Sequence, residues 1–423
     1  MKNLRCVGIL ALAATMTFTS CNIFNMVKLH EAIGVSGTAN IKGVPETADA
    51  NLVVGTLAGD GKPGIVDGPG ITARFNYPAG ITVDSKGHIF VADFFNTSIR
   101  EIEPTGEVSI PVMTPKGSGD QYGVMFGSIG NSVFIEGVLT PVFLNPVDVA
   151  VGADGNLYLV AYEDNRIWKV IPGEKVTLDL RIQKIVTGGR VSILTGKGLS
   201  GNKDGDIAEA RFKYPLGIAA DAAGNIYISD TENHRIRKIT PEGMVFTLAG
   251  SKRGFKDGSG TEAEFNKPVG LAVDTSGNIY VADRGNHSIR KITAEGVVST
   301  LAGSEKGFMD GSTTEARFNK PSGVAVDSDG IVYVADQKNN IIRKITPEGQ
   351  VGTLAGSGIA GFEDGNAVTA QFRNPMGVAV DLDGNVFVSD TGNQRIRMIE
   401  GVSRPRRNIV HADNADNKQS TRM

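Results

Sequence analysis

Surplus positive charge is missing from this 423-residue chain, in which 43 lysines and arginines stand against 46 aspartates and glutamates. Nucleic acid is therefore not an expected partner, because its binding depends on neutralising phosphate groups. Long apolar runs are missing as well. The run from Val7 to Phe18 is shorter than the roughly 20 residues that a membrane-spanning helix needs, and no other segment approaches that length.

Cysteine is nearly absent, and both copies lie close to the start of the chain. Two basic residues precede the apolar run, and the sequence FTSC, ending at Cys21, follows it. This pattern is typical of an export signal, and its end resembles the lipobox of bacterial lipoproteins. We expect residues 1–20 to be a signal peptide and Cys21 to be the lipid attachment site. An ordinary signal with an incidental Cys21 is the alternative. Cys6 would be removed with the signal. The mature chain would then keep a single cysteine and could form no internal disulfide.

Glycine is abundant, with 54 copies, which favours tight turns and an all-β fold over long helices. Similar segments recur along the chain, and each holds four short β-rich runs separated by polar turns. One repeat therefore predicts one four-stranded sheet, and successive sheets must stack as the blades of a propeller. The six segments begin at Pro78, Pro146, Pro215, Pro268, Pro321 and Pro375.

The strings GNIYISDTENHRIRKI, GNIYVADRGNHSIRKI and GNVFVSDTGNQRIRMI resemble NHL repeats. This resemblance implies a six-bladed β-propeller with four-stranded blades, which we place at residues 51–400. The sixth repeat lacks a fourth run, and the run at 53–59 supplies it, so we expect an N-terminal strand to complete the last blade. Residues 21–50 are then a tether, and 401–423 a basic disordered tail.

Two polar motifs recur between the strands: an Asp-x-x-Asn turn, and an Asp-Gly connector followed by Ala-x-Phe. We interpret the first as a structural turn and the second as a turn that leads to a phenylalanine plug between blades. Histidines of two adjacent repeats have no third ligand at a suitable spacing, so no metal or cofactor is expected. These turns still offer an alternative binding site, at Asp230, Asn233, His234, Asp283, Asn286 and His287.

The second repeat breaks the pattern. One insertion, at about 115–144, precedes it, and a second, at about 173–189, lies between its third and fourth runs. The repeat also holds the only tryptophan of the chain. Insertions in a regular array often carry function, and aromatic faces suit sugar rings or peptide side chains. The alternative is that the insertions have no function and that their aromatic side chains only pack against one another. The candidate binding residues, expected at the mouth of the central channel, are Asp148, Tyr162, Glu163, Trp168, Tyr122 and Phe126.

These features together predict a lipid-anchored binding or interaction module, exported to the bacterial cell envelope and monomeric. Its partner would be a small glycan, a peptide or an envelope protein. A hydrolase or lyase that uses the channel mouth is the first alternative, since six-bladed relatives include gluconolactonase-like enzymes and lyases. Their metal-binding patterns are not evident in the strands expected nearest the axis. A structural envelope scaffold is the second alternative.

We expect Cys21→Ser to move the protein from the membrane fraction to the soluble fraction, because no second apolar run could anchor the mature chain. Cell fractionation followed by immunoblotting measures this shift. Cys6→Ser is the matched control and should leave the protein in membranes. Retention of the Cys21→Ser protein in membranes after signal cleavage would contradict the lipid assignment.

Overall fold

The computed structural model describes residues 52–113, 132–135, 138–141, 145–162, 164–172, 190–196 and 198–400. Six antiparallel sheets make up this part of the chain, and a separate hairpin pairs Ser132–Ile135 with Val138–Pro141. The innermost strands of successive sheets contact one another, and the sixth contacts the first, which closes a ring. This arrangement confirms the predicted six-bladed all-β propeller. No helix in the described part is long and apolar enough to cross a membrane.

Each blade runs outward from the axis through four antiparallel strands. The first strands, in blades 1 to 6, are Pro78–Val83, Pro146–Val151, Pro215–Ala220, Pro268–Val273, Val324–Val326 and Val378–Val380. The second strands are Ile89–Asp93, Leu157–Ala161, Ile226–Asp230, Ile279–Asp283, Val332–Asp336 and Val386–Asp390. The third strands are Ser98–Ile102, Ile167–Ile171, Arg235–Ile239, Ser288–Ile292, Ile341–Ile345 and Arg395–Glu400. The fourth strands are Glu107–Met113, Arg190–Thr195, Met244–Ala249, Val297–Ala302, Gln350–Ala355 and, in blade 6, Val53–Ala58.

The blades have one strand more than the sequence predicts, except blade 2. The Asp-Gly connector is not only a turn: its glycine, at φ 116° in Gly68, starts a two-residue strand that pairs with the outer edge of the fourth strand. Blade 2 has no such connector, and its sheet has four strands. The short strands are Gly68–Pro69, Gly205–Asp206, Gly258–Ser259, Gly311–Ser312 and Gly365–Asn366.

Short 3-10 helices connect the strands. Five of them follow the second strands and hold the Asp-x-x-Asn turns: Phe94–Asn96, Thr231–Asn233, Arg284–Asn286, Gln337–Asn339 and Thr391–Asn393. Two more lie in connectors between blades, at Gly70–Thr72 and Gly260–Glu262.

The predicted closure of the ring by the N-terminal strand is confirmed. Val53–Ala58 pairs with the third strand of blade 6, and Val54 stands opposite Ile399. The other edge of Val53–Ala58 pairs with Gly365–Asn366. Both edges of the closing strand are therefore hydrogen-bonded, so the ring presents no free end at this position.

The hydrophobic core is divided into six clusters, and each fills the interface between two neighbouring blades. At five interfaces a fully buried phenylalanine from the connector lies in the cluster, as the sequence predicts for the plug. At the interface of blades 1 and 2 the described cluster contains the fully buried Trp168. The five phenylalanines are Phe75, Phe212, Phe265, Phe318 and Phe372.

A fully buried arginine joins the two recurring polar motifs in five blades. In blade 4, Arg290 donates to Asp283 of the Asp-x-x-Asn turn at 2.9 Å and to Asp257 of the connector at 2.6 Å. The Asp283 carboxylate also accepts a hydrogen bond from Asn286 at 2.8 Å. The guanidinium lies 4.9 Å from the centroid of the Phe265 ring. Turn, connector and plug therefore form one network, and its arginines are Arg100, Arg237, Arg290, Arg343 and Arg397.

Blade 2 replaces the buried arginine of this network with a neutral side chain. Trp168 occupies the place of the arginine, and its indole N–H donates to Asp164 at 2.6 Å. Ala161 stands where the other turns have aspartate. The connector aspartate and the aspartate of position 161 are missing, and Asp164 already pairs with Arg166 at 3.1 Å, so an arginine at 168 would be buried with its charge incompletely paired. The tryptophan fills the volume and needs only one hydrogen-bond acceptor.

Candidate functional site

Two cavities lie along the propeller axis. The channel cavity, of about 280 Å³, is lined by the first strands of all six blades. A larger cavity of about 510 Å³ lies at the mouth, on the face of the Asp-x-x-Asn turns. Both cavities contact Asp148, Gly270, Gly323 and Gly377, so this level is the throat between them. The mouth is concave and bordered by unlike side chains, as ligand sites usually are.

Glycines of the Pro-x-Gly motif surround the throat, because each lies against the backbone of the next blade. A side chain at Gly217, for example, would overlap the carbonyl oxygen of Val269. Blade 2 has Asp148 at this position, and the facing Gly80 leaves room for its carboxylate. The carboxylate accepts the backbone N–H of Ile218 in blade 3 at 3.0 Å. Asp148 is therefore the one carboxylate at the described throat, and it links two blades.

Desolvation by burial raises the pKa of Asp148 to about 7, although the backbone N–H groups of Ile218 and Val149 favour its charged form. The residue therefore titrates near neutral pH. At that pH its carboxyl group can either accept or donate a hydrogen bond to a group that enters the throat.

An aromatic wall forms one side of the mouth. It consists of Tyr77 and Phe94 from blade 1, Tyr162 from blade 2 and Tyr214 from blade 3. Ring centroids are separated by 5.7 Å from Tyr77 to Phe94, 5.9 Å from Phe94 to Tyr162, and 6.2 Å from Tyr162 to Tyr214. Tyr162 is 44% exposed. A continuous, partly exposed aromatic surface thus spans three blades.

A charged wall continues the rim of the mouth, formed by Lys213 and Glu232 of blade 3 and Lys267 and Arg284 of blade 4. Lys267 donates to Glu232 at 2.8 Å, so these two charges neutralise each other. Side-chain hydrogen bonding from Lys267 lowers the pKa of Glu232 and keeps it ionised. Lys213 and Arg284 leave the wall net positive.

Six of the eight residues that form the two walls lie at two repeated backbone positions. One is the residue before the proline that opens each first strand, where φ lies between 48° and 64°. A side chain from the preceding blade accepts the N–H of this residue in described examples, such as Asn165 with Tyr214 at 2.8 Å. The other is the first residue after the second strand, occupied by Phe94, Tyr162 and Arg284 in three blades. A constant backbone therefore presents different side chains around the mouth.

The structure brings Asp148 and Tyr162 together at the mouth, as the sequence analysis expects. Trp168 is a correction: it is fully buried between blades 1 and 2, so its ring is not available to a ligand. Cys21, Tyr122, Phe126 and Glu163 lie outside the described residues.

The alternative site at the repeated turns has structural contacts. Asp230, Asn233, Asp283 and Asn286 belong to the buried arginine networks. His234 and His287 each use Nδ1 to accept the backbone N–H of a lysine in the next blade, Lys267 and Lys320, at 3.1 Å. None of these six residues borders the mouth cavity. Among the described residues no three metal-ligating side chains cluster.

Sequence reasoning missed most of the mouth: Tyr77, Phe94, Lys213, Tyr214 and Arg284. A usable signal was present, because these positions differ among repeats whose surrounding residues are nearly constant. The first x of the Asp-x-x-Asn turn reads Phe, Thr, Arg, Gln and Thr in the five blades that have the motif. Constant residues build the scaffold, so the varying ones are the candidates for recognition.

The chain matches the NHL repeat at residues 75–99, 212–239, 265–292, 318–345 and 372–397. These segments lie in blades 1, 3, 4, 5 and 6. Five of the six blades contain NHL repeats. The matched segments pass over blade 2, which lacks the arginine network that the other five blades share.

The chain is 30% identical over 304 residues to Protein SUPPRESSOR OF QUENCHING 1, chloroplastic, of Arabidopsis thaliana, covering 68% of this chain and 27% of that protein. It is 28% identical over 313 residues to NHL repeat-containing protein 2 of Homo sapiens, covering 67% of this chain and 41% of that one. The chain thus spans less than half of either relative. Among solved structures, an auxiliary nutrient binding protein from Bacteroides thetaiotaomicron has a TM-score of 0.60 at 16% identity, covering 83% of this chain and 76% of that one. At this identity the likeness concerns the fold.

The histidine contacts between blades predict acid sensitivity. Burial lowers the pKa of His234 and His287, so the folded protein favours neutral imidazoles whose Nδ1 can accept. Their stabilisation should be complete above the unfolded pKa of about 6.5 and should fall as the pH drops through it. The loss should approach about 1 kcal/mol for each hydrogen bond.

The matched variant is His234→Asn with His287→Asn, because Asn340 accepts the same backbone N–H in blade 5. Denaturant unfolding at pH 7 and pH 5 should show a smaller acid-induced loss in this variant than in the parent. Because both proteins contain the same buried aspartates, the effect of their titration on the free energy of unfolding cancels in this comparison. Equal losses in the two proteins would contradict a role for the histidines.

Proposed function

We propose that the protein is a ligand-binding module of the bacterial cell envelope, exported and lipid-anchored through Cys21, with its ligand site at the channel mouth. One observation carries this proposal: the described mouth combines an aromatic wall and a net positive wall in one cavity, above a single carboxylate at the throat. Small glycans and peptides are the ligand classes that such a surface suits.

The exposure of the aromatic wall argues for binding over a purely structural role. Structural aromatics in this propeller, such as Phe265 and Trp168, are fully buried between blades. Tyr162 remains 44% exposed inside a concave cavity, where it gains little from packing. Partly exposed aromatic rings beside directed polar groups are typical of recognition surfaces.

The carboxylates of the mouth favour binding over hydrolysis or elimination. Asp148 accepts two backbone N–H groups, from Val149 and Ile218, which hold it in one orientation. Glu232 is paired with Lys267. Among the described lining residues of the mouth, Asp148 therefore has no unpaired second carboxylate with which to form an acid–base pair.

The envelope location rests on the export signal and the lipobox-like sequence that ends at Cys21. The description of the Bacteroides thetaiotaomicron neighbour as an auxiliary nutrient binding protein agrees with a binding role for this fold. A lipid anchor would hold the propeller at a membrane surface while leaving both of its faces accessible to solutes.

Screening the purified full-length protein on an array of oligosaccharides and short peptides, followed by calorimetric titration of the strongest binder, tests this function. Tyr162→Ala should weaken that binding about fivefold, because an aromatic contact contributes about 1 kcal/mol beyond its burial. Phe246→Ala is the control: this ring is 39% exposed but lies on an outer strand of blade 3, away from the mouth.

The control variant should bind like the parent, and both variants should keep the parent melting temperature. An array without any binder would contradict the proposal. So would a binder whose affinity is unchanged by Tyr162→Ala, because its site would then lie elsewhere on the protein.

A further inference from the structure

We propose that the mouth selects an oligosaccharide that carries a uronic acid, with Arg284 pairing with the sugar carboxylate. This inference rests on the proposed binding function and names the ligand class within it. It follows from the charge state, the contacts and the placement of Arg284 relative to the aromatic wall.

Arg284, which is partly buried, differs from the five fully buried network arginines because no carboxylate of the described residues pairs with it. The five network arginines each contact two aspartates, whereas no carboxylate of the described residues lies within 4 Å of the Arg284 guanidinium. Its described hydrogen bonds go to neutral oxygens, the Gln337 side chain at 2.6 Å and the Lys320 carbonyl at 3.4 Å. Both contacts are to blade 5, and they hold the side chain in place while leaving donors available.

The position of Arg284 aims this unpaired charge at the ligand. The residue borders the mouth cavity, and burial lowers its pKa, which means that its charge is incompletely solvated. Tyr77 of blade 1, on the opposite side of the ring, borders the same cavity. An anion paired with Arg284 in this cavity would therefore share it with the aromatic rings.

The remaining charges of the mouth reinforce an anionic preference. Lys267 and Glu232 cancel each other at 2.8 Å. Lys213 has no carboxylate of the described residues within 4 Å, and it adds a second positive charge to the wall. Burial raises the pKa of Asp148 to about 7, which reduces the opposing negative charge at the throat near neutral pH.

The aromatic wall supplies the other half of the recognition. Rings of Tyr77, Phe94 and Tyr162 offer apolar faces on which one face of a sugar can stack. A planar guanidinium matches the two oxygens of a carboxylate with parallel hydrogen bonds. A uronic acid carries a stacking ring and a carboxylate within one residue, which fits a wall of aromatics facing an arginine.

Calorimetric titration of the full-length protein with oligosaccharides from polygalacturonate, alginate and glucuronoxylan tests the proposal. At least one acidic oligosaccharide should bind about tenfold more tightly than its methyl ester, which keeps the ring but removes the negative charge. Arg284→Gln should abolish that difference. This variant should fold, because Gln337 occupies the equivalent position in blade 5.

Lys86→Gln is the charge-matched control. It removes one positive charge from an exposed turn between the first and second strands of blade 1, far from the mouth, and should retain the tenfold preference. Added salt should weaken the binding of the acidic oligosaccharide more than that of its methyl ester, because part of the binding of the acidic form is electrostatic. Equal loss of preference in both variants would show a general charge effect and overturn the role of Arg284.

Three further results would overturn the uronate assignment while leaving the binding function intact. The first is tighter binding of a neutral glycan that remains sensitive to Tyr162→Ala. The second is tighter binding of a sulfated oligosaccharide than of any uronate. The third is tighter binding of a peptide with a free carboxyl terminus than of any uronate, with loss of affinity on amidation. Failure of every probe to bind would instead contradict the proposed function itself.

Discussion

A buried guanidinium must be paired with negative charge, and this requirement organises five of the six blades. Each network arginine is fully buried and lies between an aspartate of its own turn and an aspartate of the connector. Arg290, for example, pairs with Asp283, which precedes it by 7 residues, and with Asp257, which precedes it by 33 residues. Because the arginine also packs on the connector phenylalanine, one side chain sets the turn, the connector and the blade interface together.

The same network explains how the propeller can vary its mouth. Contacts that tie each turn to the network involve its aspartate, its asparagine and the arginine of the third strand, and do not use the side chain of the residue that follows the aspartate. Phe94 and Arg284 occupy the same turn position in blades 1 and 4, yet their backbones have the same conformation. In blade 2 Trp168 replaces the network, and Asp148 takes the throat position of a glycine. The turn backbone is thus nearly the same in these blades, while the side chains that it presents at the mouth differ from blade to blade.

The fold was largely predictable from the sequence, and the candidate site only in part. Repeat spacing and the missing fourth run of the last repeat predicted the blades and their closure. Asp148 and Tyr162 stood out because they break the repeat. Arg284 and Tyr77 did not, because their shared cavity depends on blades that lie opposite each other around a ring. Trp168 also breaks the repeat, but its burial between blades 1 and 2 becomes apparent only once the blades are packed.

Unfolding measurements on Arg343 test the central claim, that paired charge holds the blades, most directly. Arg343→Met leaves Asp336 and Asp310 without their cation, and should lower the free energy of unfolding by about 3 to 5 kcal/mol. Adding Asp336→Asn and Asp310→Asn removes the unpaired charges at nearly constant shape and should restore most of that loss. A single variant within about 1 kcal/mol of the parent, or a triple variant less stable than the single one, would contradict the account.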